Sequence, residues 1–414
     1  MKKYISPSLV NGKINAPASK SYLQRAVIAA MLAQGRSVLH NCTLCDDSKA
    51  VLSIAQSLGA KVIKDYSDII ITGGFQVPSG ELNCHESGLA LRMLSPIVAL
   101  LPDPITVNGS GSLLNRPIEL IIDSLSQLNI KVISNNHQLP ITIDGNLLGG
   151  NFEIDGSNGS QLLTGLLMAL PLAQKDSIIS VKNLKSKPYI DITIDLLREF
   201  GICIYHDNYQ QFRITGNQSY KNTNYNIEGD WSSAAFMLVA GAIAGEIEIL
   251  GVNPKSKQAD IRILDVLKAV GAEISVSNES IIIKKNNLIG FDFDAEDCPD
   301  LFPPLVALAA NCKTPSTING VSRLYSKESN RAVSLQEEFN KIGVSINIDE
   351  NRMIIKPSQI KFNTVNSHND HRVVMATAVA ALCSEQGIEI EDYECINKSY
   401  PDFFNDLHKT TQHK

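Results

Sequence analysis

Five short stretches of the chain repeat one junction at a nearly constant spacing, and no other feature limits its fold as strongly. They are Leu58–Gly59–Ala60–Lys61–Val62, Leu128–Asn129–Ile130–Lys131–Val132, Phe200–Gly201–Ile202–Cys203–Ile204, Val270–Gly271–Ala272–Glu273–Ile274 and Ile342–Gly343–Val344–Ser345–Ile346. Each reads as the last turn of an amphipathic helix, a small residue able to turn left-handed, and then an alternating strand. The pivots at 59, 129, 201, 271 and 343 are separated by 70, 72, 70 and 72 residues. Gly ends a helix there without a Cβ clash, and Asn129 is the usual substitute. A period of this kind implies one supersecondary unit used several times.

A second series runs in phase with the first. Apolar, Ala- and Leu-rich helices are expected to begin near Ser19, Gly88, Gly159, Trp231, Asp300 and Asp370. They are apolar nearly all round, so they belong in the interior. Each unit then reads as inner helix, strand, outer helix, strand, and six units of about seventy residues account for the chain. The sixth is short, because Pro401–Asp402–Phe403–Phe404 is soon followed by Lys414. A strand from Lys3–Val10 would complete it, in which case the chain crosses twice between two lobes of three units. The crossings are expected near Asn11–Ala16 and Tyr225–Gly229, which places 14–226 in one lobe and 1–13 with 227–414 in the other.

Net charge is −6, so anion binding has to come from local placement of Lys and Arg, and a general nucleic-acid surface is disfavoured. There is no run of eighteen apolar residues, and no signal-peptide core follows Met1–Lys2–Lys3–Tyr4; a soluble, cytoplasmic protein is expected. Of Cys42, Cys45, Cys84, Cys203, Cys298, Cys312, Cys383 and Cys395, only the first two form a CxxC pair. With no second pair or histidine cluster beside it, all eight read as reduced structural thiols and no metal site is expected.

Polar residues gather at the start of every inner helix. In Asn15–Ala16–Pro17–Ala18–Ser19–Lys20–Ser21–Tyr22–Leu23–Gln24–Arg25, Ser19 or Ser21 can cap the helix, while Lys20 and Arg25 add charge to its partially positive end. Later units bring Glu86, Gly88, Arg92 and Arg116, then Ser160, Gln161, Ser186 and Tyr189, then Asp230, Gln258 and Asp260. The last two bring Asp300, Lys327, Glu328 and Arg331, then Asp370, His371, Arg372 and Lys398. Any one of these alone is a cap or a surface ion pair. Together they suit a pair of small polyanions, since Arg grips phosphate or carboxylate through two parallel bonds. Asp300 and Glu328, few among many cations, become candidates for moving protons.

Nine motifs in order carry a resemblance to the EPSP synthases of the enolpyruvyl transferase family. They are Ala18–Ser19–Lys20–Ser21 with Arg25, Asn115–Arg116–Pro117–Ile118, Asp155–Gly156–Ser157 with Ser160–Gln161, Ser186–Lys187–Pro188–Tyr189–Ile190–Asp191–Ile192–Thr193, and Glu228–Gly229–Asp230. The rest are Gln258–Ala259–Asp260–Ile261–Arg262, Lys327–Glu328–Ser329–Asn330–Arg331, Asn369–Asp370–His371–Arg372 and Lys398–Ser399–Tyr400–Pro401. The resemblance implies an α/β fold of two lobes that close on substrate, an inside-out α/β barrel with three βαβαββ repeats per lobe and buried helices. It implies transfer of the enolpyruvyl group of phosphoenolpyruvate to the 5-hydroxyl of 3-phosphoshikimate, on the route to chorismate. Lys20, Ser21, Arg25, Ser160, Gln161, Ser186, Tyr189, Asp300 and Lys327 would meet 3-phosphoshikimate. Phosphoenolpyruvate would meet Lys20, Gly88, Arg116, Gln161, Arg331, Arg372 and Lys398. Asp300 resembles the base at the attacking hydroxyl, and Glu328 with Lys20 the group exchanging the C3 proton, assisted by His371. A monomer is implied, with these two small molecules as partners and with no cofactor, metal, nucleic acid or membrane.

The sequence departs from the family pattern at four places. Glu86 and Leu89 stand where an Asn and a Thr are frequent, Gly159 replaces a Ser, and Arg323 lies near a position often held by Asn. Glu86 brings a negative charge to the phosphoenolpyruvate pocket, where glyphosate competes, unless Arg92 or Arg116 neutralises it. Arg323 is a candidate to hold the phosphate that a serine in place of Gly159 would touch. Two alternatives stay open at this level. One is the sister activity on UDP-N-acetylglucosamine, which uses a cysteine that Thr106–Pro117 lacks. The other is a catalytically silent anion-binding homologue.

Overall fold

The computed structural model describes residues 1–78 and 81–413. The chain forms two compact units, Ala18–Ile227 and Met1–Pro17 with Glu228–Lys414, called here the N-terminal and C-terminal units. All five pivots have positive φ: +107° at Gly59, +59° at Asn129, +80° at Gly201, +92° at Gly271 and +92° at Gly343. Each is followed by an amide that reaches back to the helix it has just left. Ala60 N donates to Ala55 O at 2.9 Å, Ile130 to Leu125 at 3.0 Å and Ile202 to Leu197 at 2.9 Å. Ala272 donates to Leu267 and Val344 to Phe339, both at 3.0 Å. This is one helix stop, used five times to satisfy carbonyls that a helix end leaves open.

The sheets share one plan. Arg36–His40 runs parallel to Asn224–Asn226 and antiparallel to Asp68–Thr72, which in turn pairs antiparallel with Lys61–Asp65. Ile105–Asn108 and Ser177–Lys182 take the same place in the other two sheets of the N-terminal unit. Gly245–Leu250, Ser316–Asn319 and Ile388–Glu391 take it in the C-terminal unit. Among the described residues the six sheets are separate, and no ladder joins them into one cylinder.

The N-terminal segment differs from the single strand expected over Lys3–Val10. Lys2–Ile5 pairs antiparallel with Ile388–Glu391, whereas Ser8–Asn15 joins another sheet beside Gly245–Leu250 and Thr411–His413. Pro7 lies between the two strands; it cannot donate to a ladder, so the pairing breaks there.

The inner helices are Lys20–Leu32, Gly88–Val98, Gln161–Ala169, Trp231–Ala244, Phe302–Ala310 and His371–Ala381. Every residue of Trp231–Ala244 except Ser232 is buried. At about 1.5–3 kcal/mol for each large apolar side chain removed from water, such helices supply much of the core. The three inner helices of the C-terminal unit touch one another. In the N-terminal unit Gly88–Val98 meets Gln161–Ala169 at backbone distance. A Cβ on Gly165 would lie 2.7 Å from the Arg92 carbonyl and 2.8 Å from Met93 Cα. That close approach brings the polar starts of the two helices side by side.

Candidate active site

In the N-terminal unit, Ser19 occupies the cap position of helix Lys20–Leu32, but its hydroxyl makes no capping bond and is buried without a hydrogen-bond partner among the described residues. The expected serine cap is therefore not made by Ser19. Lys20 Nζ is held 2.8 Å from Asp47. Arg25 is 1% exposed and is bonded only to neutral oxygens in the hydrogen bonds resolved for it. These are Thr193 Oγ1 at 2.9 Å, the Ser21 carbonyl at 2.8 Å and Thr164 Oγ1 at 3.3 Å. Burial pulls its guanidinium down to about 10, with only the tyrosines 189, 22 and 225 opposing.

A second cluster forms where Gly88–Val98 and Gln161–Ala169 begin. Arg92 Nη1 donates to the Gly88 carbonyl and to Gln161 Oε1, both at 3.2 Å. A Cβ on Gly88 would fall 2.4 Å from Arg116 Nη1 and 2.9 Å from Arg92 Nη1, so the missing side chain is what lets two guanidinium groups crowd this helix end. Glu86 is tied into the following turn, where its Oε2 accepts from Ser112 N at 3.0 Å and from Ser112 Oγ at 2.9 Å. Gly111 (φ +54°) makes room for that carboxylate, since a Cβ there would lie 2.4 Å from the Glu86 carboxyl carbon. Gly159 has φ +119°, a conformation that a serine would adopt only with strain. Ser160 is the buried N-cap residue of the next helix, and Ser186 turns left-handed (φ +59°) to start Lys187–Glu199, with Tyr189 in its first turn. Leu89 is buried.

In the C-terminal unit the residues singled out form one network around Arg331, itself buried. Its Nε donates to Asp370 Oδ2 at 2.8 Å, Nη2 to Asp370 Oδ1 at 3.2 Å and to Glu328 Oε2, and Nη1 to Asp300 Oδ1 at 2.9 Å. Four of the five N–H donors a guanidinium carries are thereby used on carboxylates. Burial alone would lower this guanidinium, but Asp370, Glu328 and Asp300 outweigh it and hold it raised. Asp300 also accepts from Arg372 Nη2 at 3.0 Å, and Lys327 Nζ lies 3.5 Å away. Burial opposes its charge, yet Arg372, Lys327 and Arg331 keep this carboxyl well below the usual range. Lys327 is pulled down, first by burial and then by Arg331, against the attraction of Asp300.

The segment leading into helix His371–Ala381 is held from both sides. His368 and Asn369 both turn left-handed, and Asp370 caps the helix by accepting from Arg372 N at 3.0 Å. Lys398 Nζ donates to the Asn369 carbonyl at 2.7 Å. His371 is buried at the first helical position. Arg323 Nε donates to the Glu296 carbonyl at 3.3 Å, and its other charged neighbours are Glu296, Asp297 and Asp300.

By chain position, Lys20, Ser21, Arg25, Gly88, Arg116, Ser160, Gln161, Ser186 and Tyr189 belong to the N-terminal unit. Asp300, Lys327, Glu328, Arg331, His371, Arg372 and Lys398 belong to the C-terminal unit. Sequence reasoning passed over Thr164 and treated Thr193 and Asp370 only as parts of motifs, although Thr164 and Thr193 hold Arg25. It also missed Gln24, whose Oε1 accepts from Ser87 Oγ at 3.2 Å. All eight cysteines are free; Cys45 is buried at the start of helix Asp46–Ser57, and burial pushes the Cys42 thiol up to about 12.

Residues 5–407 match the family model for EPSP synthase (3-phosphoshikimate 1-carboxyvinyltransferase). The chain belongs to the EPSP synthase family. Among curated relatives, the 3-phosphoshikimate 1-carboxyvinyltransferase of Clostridium novyi (strain NT) is 37% identical over 418 residues, covering 98% of this chain and 96% of its own. That of Clostridium kluyveri is 38% identical over 412 residues with the same coverage. The Methanocorpusculum labreanum protein of the same name is 36% identical over 417 residues, covering 99% and 98%. A solved EPSP synthase structure from Acinetobacter baumannii superposes with a TM-score of 0.84 at 23% identity, covering 100% of this chain and 98% of that one, which speaks for the fold. Among the described residues no helix is long and apolar enough to cross a membrane.

Proposed function

We propose that this member of the EPSP synthase family transfers the enolpyruvyl group of phosphoenolpyruvate to the 5-hydroxyl of 3-phosphoshikimate. The products are 5-enolpyruvylshikimate 3-phosphate and inorganic phosphate. The observation that carries the reading is the network in which Asp300 and Glu328 sit among Arg331, Arg372 and Lys327. Such a site offers carboxylates for proton transfer and cations for two phosphorylated acids.

In this reading 3-phosphoshikimate is held by Lys20, Ser21, Arg25, Ser160, Gln161, Ser186, Tyr189 and Lys327. Phosphoenolpyruvate draws on Lys20, Gly88, Arg116, Gln161, Arg331, Arg372 and Lys398. The 5-hydroxyl adds to C2 of phosphoenolpyruvate while C3 gains a proton. The tetrahedral intermediate then loses the C3 proton and phosphate. Asp300 takes the hydroxyl proton, and Glu328 with Lys20 and His371 serves the proton at C3. A carboxylate held as low as Asp300 is a weak base. It becomes an effective one when phosphoenolpyruvate engages Arg372 and 3-phosphoshikimate engages Lys327, relaxing their hold, so the base gains strength as the substrates arrive. Orientation of two bound anions supplies much of the remaining rate.

We read the protein as a cytoplasmic monomer acting on these two small molecules; eight free cysteines fit a reducing compartment. The test is phosphate release from phosphoenolpyruvate with 3-phosphoshikimate or with UDP-N-acetylglucosamine as acceptor. Turnover is expected with the first alone. Turnover with the sugar nucleotide, or with neither, overturns the reading.

A further inference from the structure

Asp260 lies on the short turn Ala259–Arg262, is 1% exposed, and has no role in the chemistry described so far. One carboxyl oxygen is in close contact with the Ser232 hydroxyl, at the start of helix Trp231–Ala244. The other is buried and has no hydrogen-bond partner among the described residues. A buried carboxylate oxygen with nothing to accept from is strongly disfavoured, whereas a neutral carboxyl sits there at far lower cost. A serine hydroxyl can donate to the carboxylate or accept from the acid, and here the bond from Ser232 favours the ionised form.

The charged and titratable groups that face Asp260 come from every neighbouring element. They are Asp300 on the turn Pro299–Leu301, Arg372 on helix His371–Ala381, Asp230 at the cap of helix Trp231–Ala244, and the Cys298 thiol. Arg372 is the cation that acts most strongly on this carboxyl. It is shared among Asp300, Asp260 and Asp230, and its bonded contact is with Asp300.

We propose that Asp260 is a positioning residue whose proton sets how the charge of Arg372 is divided between the buried acids and the incoming phosphoenolpyruvate. With Asp260 neutral, Arg372 faces Asp300 and the substrate. With Asp260 ionised, a further buried negative charge competes for the same guanidinium and repels the anionic substrate. Burial, Asp300 and Asp230 raise this carboxyl to about 7 against the pull of Arg372 and Ser232, so the exchange falls within the working pH range. The proposal rests on the reading that Arg372 meets phosphoenolpyruvate.

The experiment compares KM for phosphoenolpyruvate between pH 6 and pH 8 in the wild type and in Asp260→Asn, an isosteric neutral form. Titration of the substrate phosphate is common to both proteins and cancels. The wild-type KM is expected to rise about tenfold more than that of the variant over this interval, with kcat changing in parallel in both. Ser232→Ala removes a bond that favours the ionised form, so it moves the wild-type inflection up by about one pH unit. It answers the same question if the Asn variant does not fold. Difference infrared spectroscopy of the protein without substrate should show the carbonyl band of a protonated buried carboxyl at pH 6, lost by pH 8 and absent from Asp260→Asn. Equal pH slopes in wild type and variant, or no such band, overturn the proposal. An unchanged KM for phosphoenolpyruvate in Arg372→Gln overturns the site reading instead, while leaving the infrared titration as a direct measure of the Asp260 proton.

Discussion

Arg331 joins three carboxylates, and Arg331→Met tests whether that junction holds the C-terminal unit together. Methionine fills most of the volume without the charge. The substitution breaks the two hydrogen bonds to Asp370 and the contacts to Asp300 and Glu328, four hydrogen bonds in all. Asp370 keeps the Arg372 amide and the Ser329 hydroxyl, and Asp300 keeps Arg372 and Lys327. What suffers is charge balance. Three acids that faced Arg331, Arg372 and Lys327 are left with two cations. Removing one partner of a buried ion pair costs about 3–5 kcal/mol. With a urea m-value of about 1–3 kcal/mol per M, the midpoint falls by about 1–5 M.

Trp231, the only tryptophan, is fully buried in the same unit, so its fluorescence reports this transition. Arg331→Lys, which keeps one charge but not the fork, should lose about half as much. The pH dependence has a definite sign. The ordinary Asp value is 3.8, and the folded value of Asp300 is lower, so its charge stabilises the native state above pH 4 and the benefit fades as pH falls through the folded value. Without Arg331 the depression is smaller; the deficit should be full at neutral pH and narrow below about pH 4. A midpoint within about 0.3 M of wild type at pH 7.5 would show that Arg331 is no such junction.

Lys20→Met and Glu328→Gln should each lower kcat by about 10²–10⁴-fold in steady-state phosphate release, with the urea midpoint of Glu328→Gln moving far less than that of Arg331→Met. Gly88→Ala should raise KM for phosphoenolpyruvate while leaving KM for 3-phosphoshikimate nearly unchanged, because its Cβ displaces Arg116 Nη1 from a position 2.4 Å away. Glu338→Ala should destabilise the C-terminal unit by about 3 kcal/mol in urea unfolding. That carboxylate is fully buried and accepts from His368 Nε2 at 2.6 Å, from Lys341 Nζ at 2.9 Å and from Asn366 N at 2.9 Å, anchoring the loop that delivers Asp370 and Arg372.

The repeat was legible because each stop is decided locally. A Gly or Asn pivot and the amide after it need only the preceding turn of helix, so Gly59 and Gly343 announce themselves. Pro7 likewise carries its own reason for splitting the first strand. The interior polar contacts were not legible, for a physical reason. Thr164, Thr193 and Gln24 lie on helix faces whose other residues are apolar, and nothing in sequence distinguishes a threonine that meets an arginine from one that merely fills space. Ser19 shows the opposite error, since the right residue at the cap position does not make the capping bond. The acids of the C-terminal unit were undercounted in the same way. Asp260 and Asp370 read as motif members, yet with Asp300 and Glu328 they balance the cations rather than leaving an excess.

That balance separates two arginines that sequence alone treats as equivalent. Arg331 spends four of its donors on carboxylates, so most of its charge is balanced within the fold before phosphoenolpyruvate draws on it. Arg25 is equally buried, but its resolved partners are two threonine hydroxyls and one carbonyl, none of which cancels its charge. A guanidinium buried among neutral oxygens costs the folded state energy that only an anionic ligand returns. Arg25→Met should therefore leave the unfolding midpoint of the N-terminal unit, followed by circular dichroism, unchanged or higher. Thr164 and Thr193 lose little, because their hydroxyls already lie 3.1 Å apart and can bond each other. The same substitution should raise KM for 3-phosphoshikimate by about a hundredfold, the worth of one charge-assisted pair with a phosphate. Loss of stability comparable to that of Arg331→Met, with KM unchanged, would show that Arg25 is a structural cation and that the phosphate is held elsewhere.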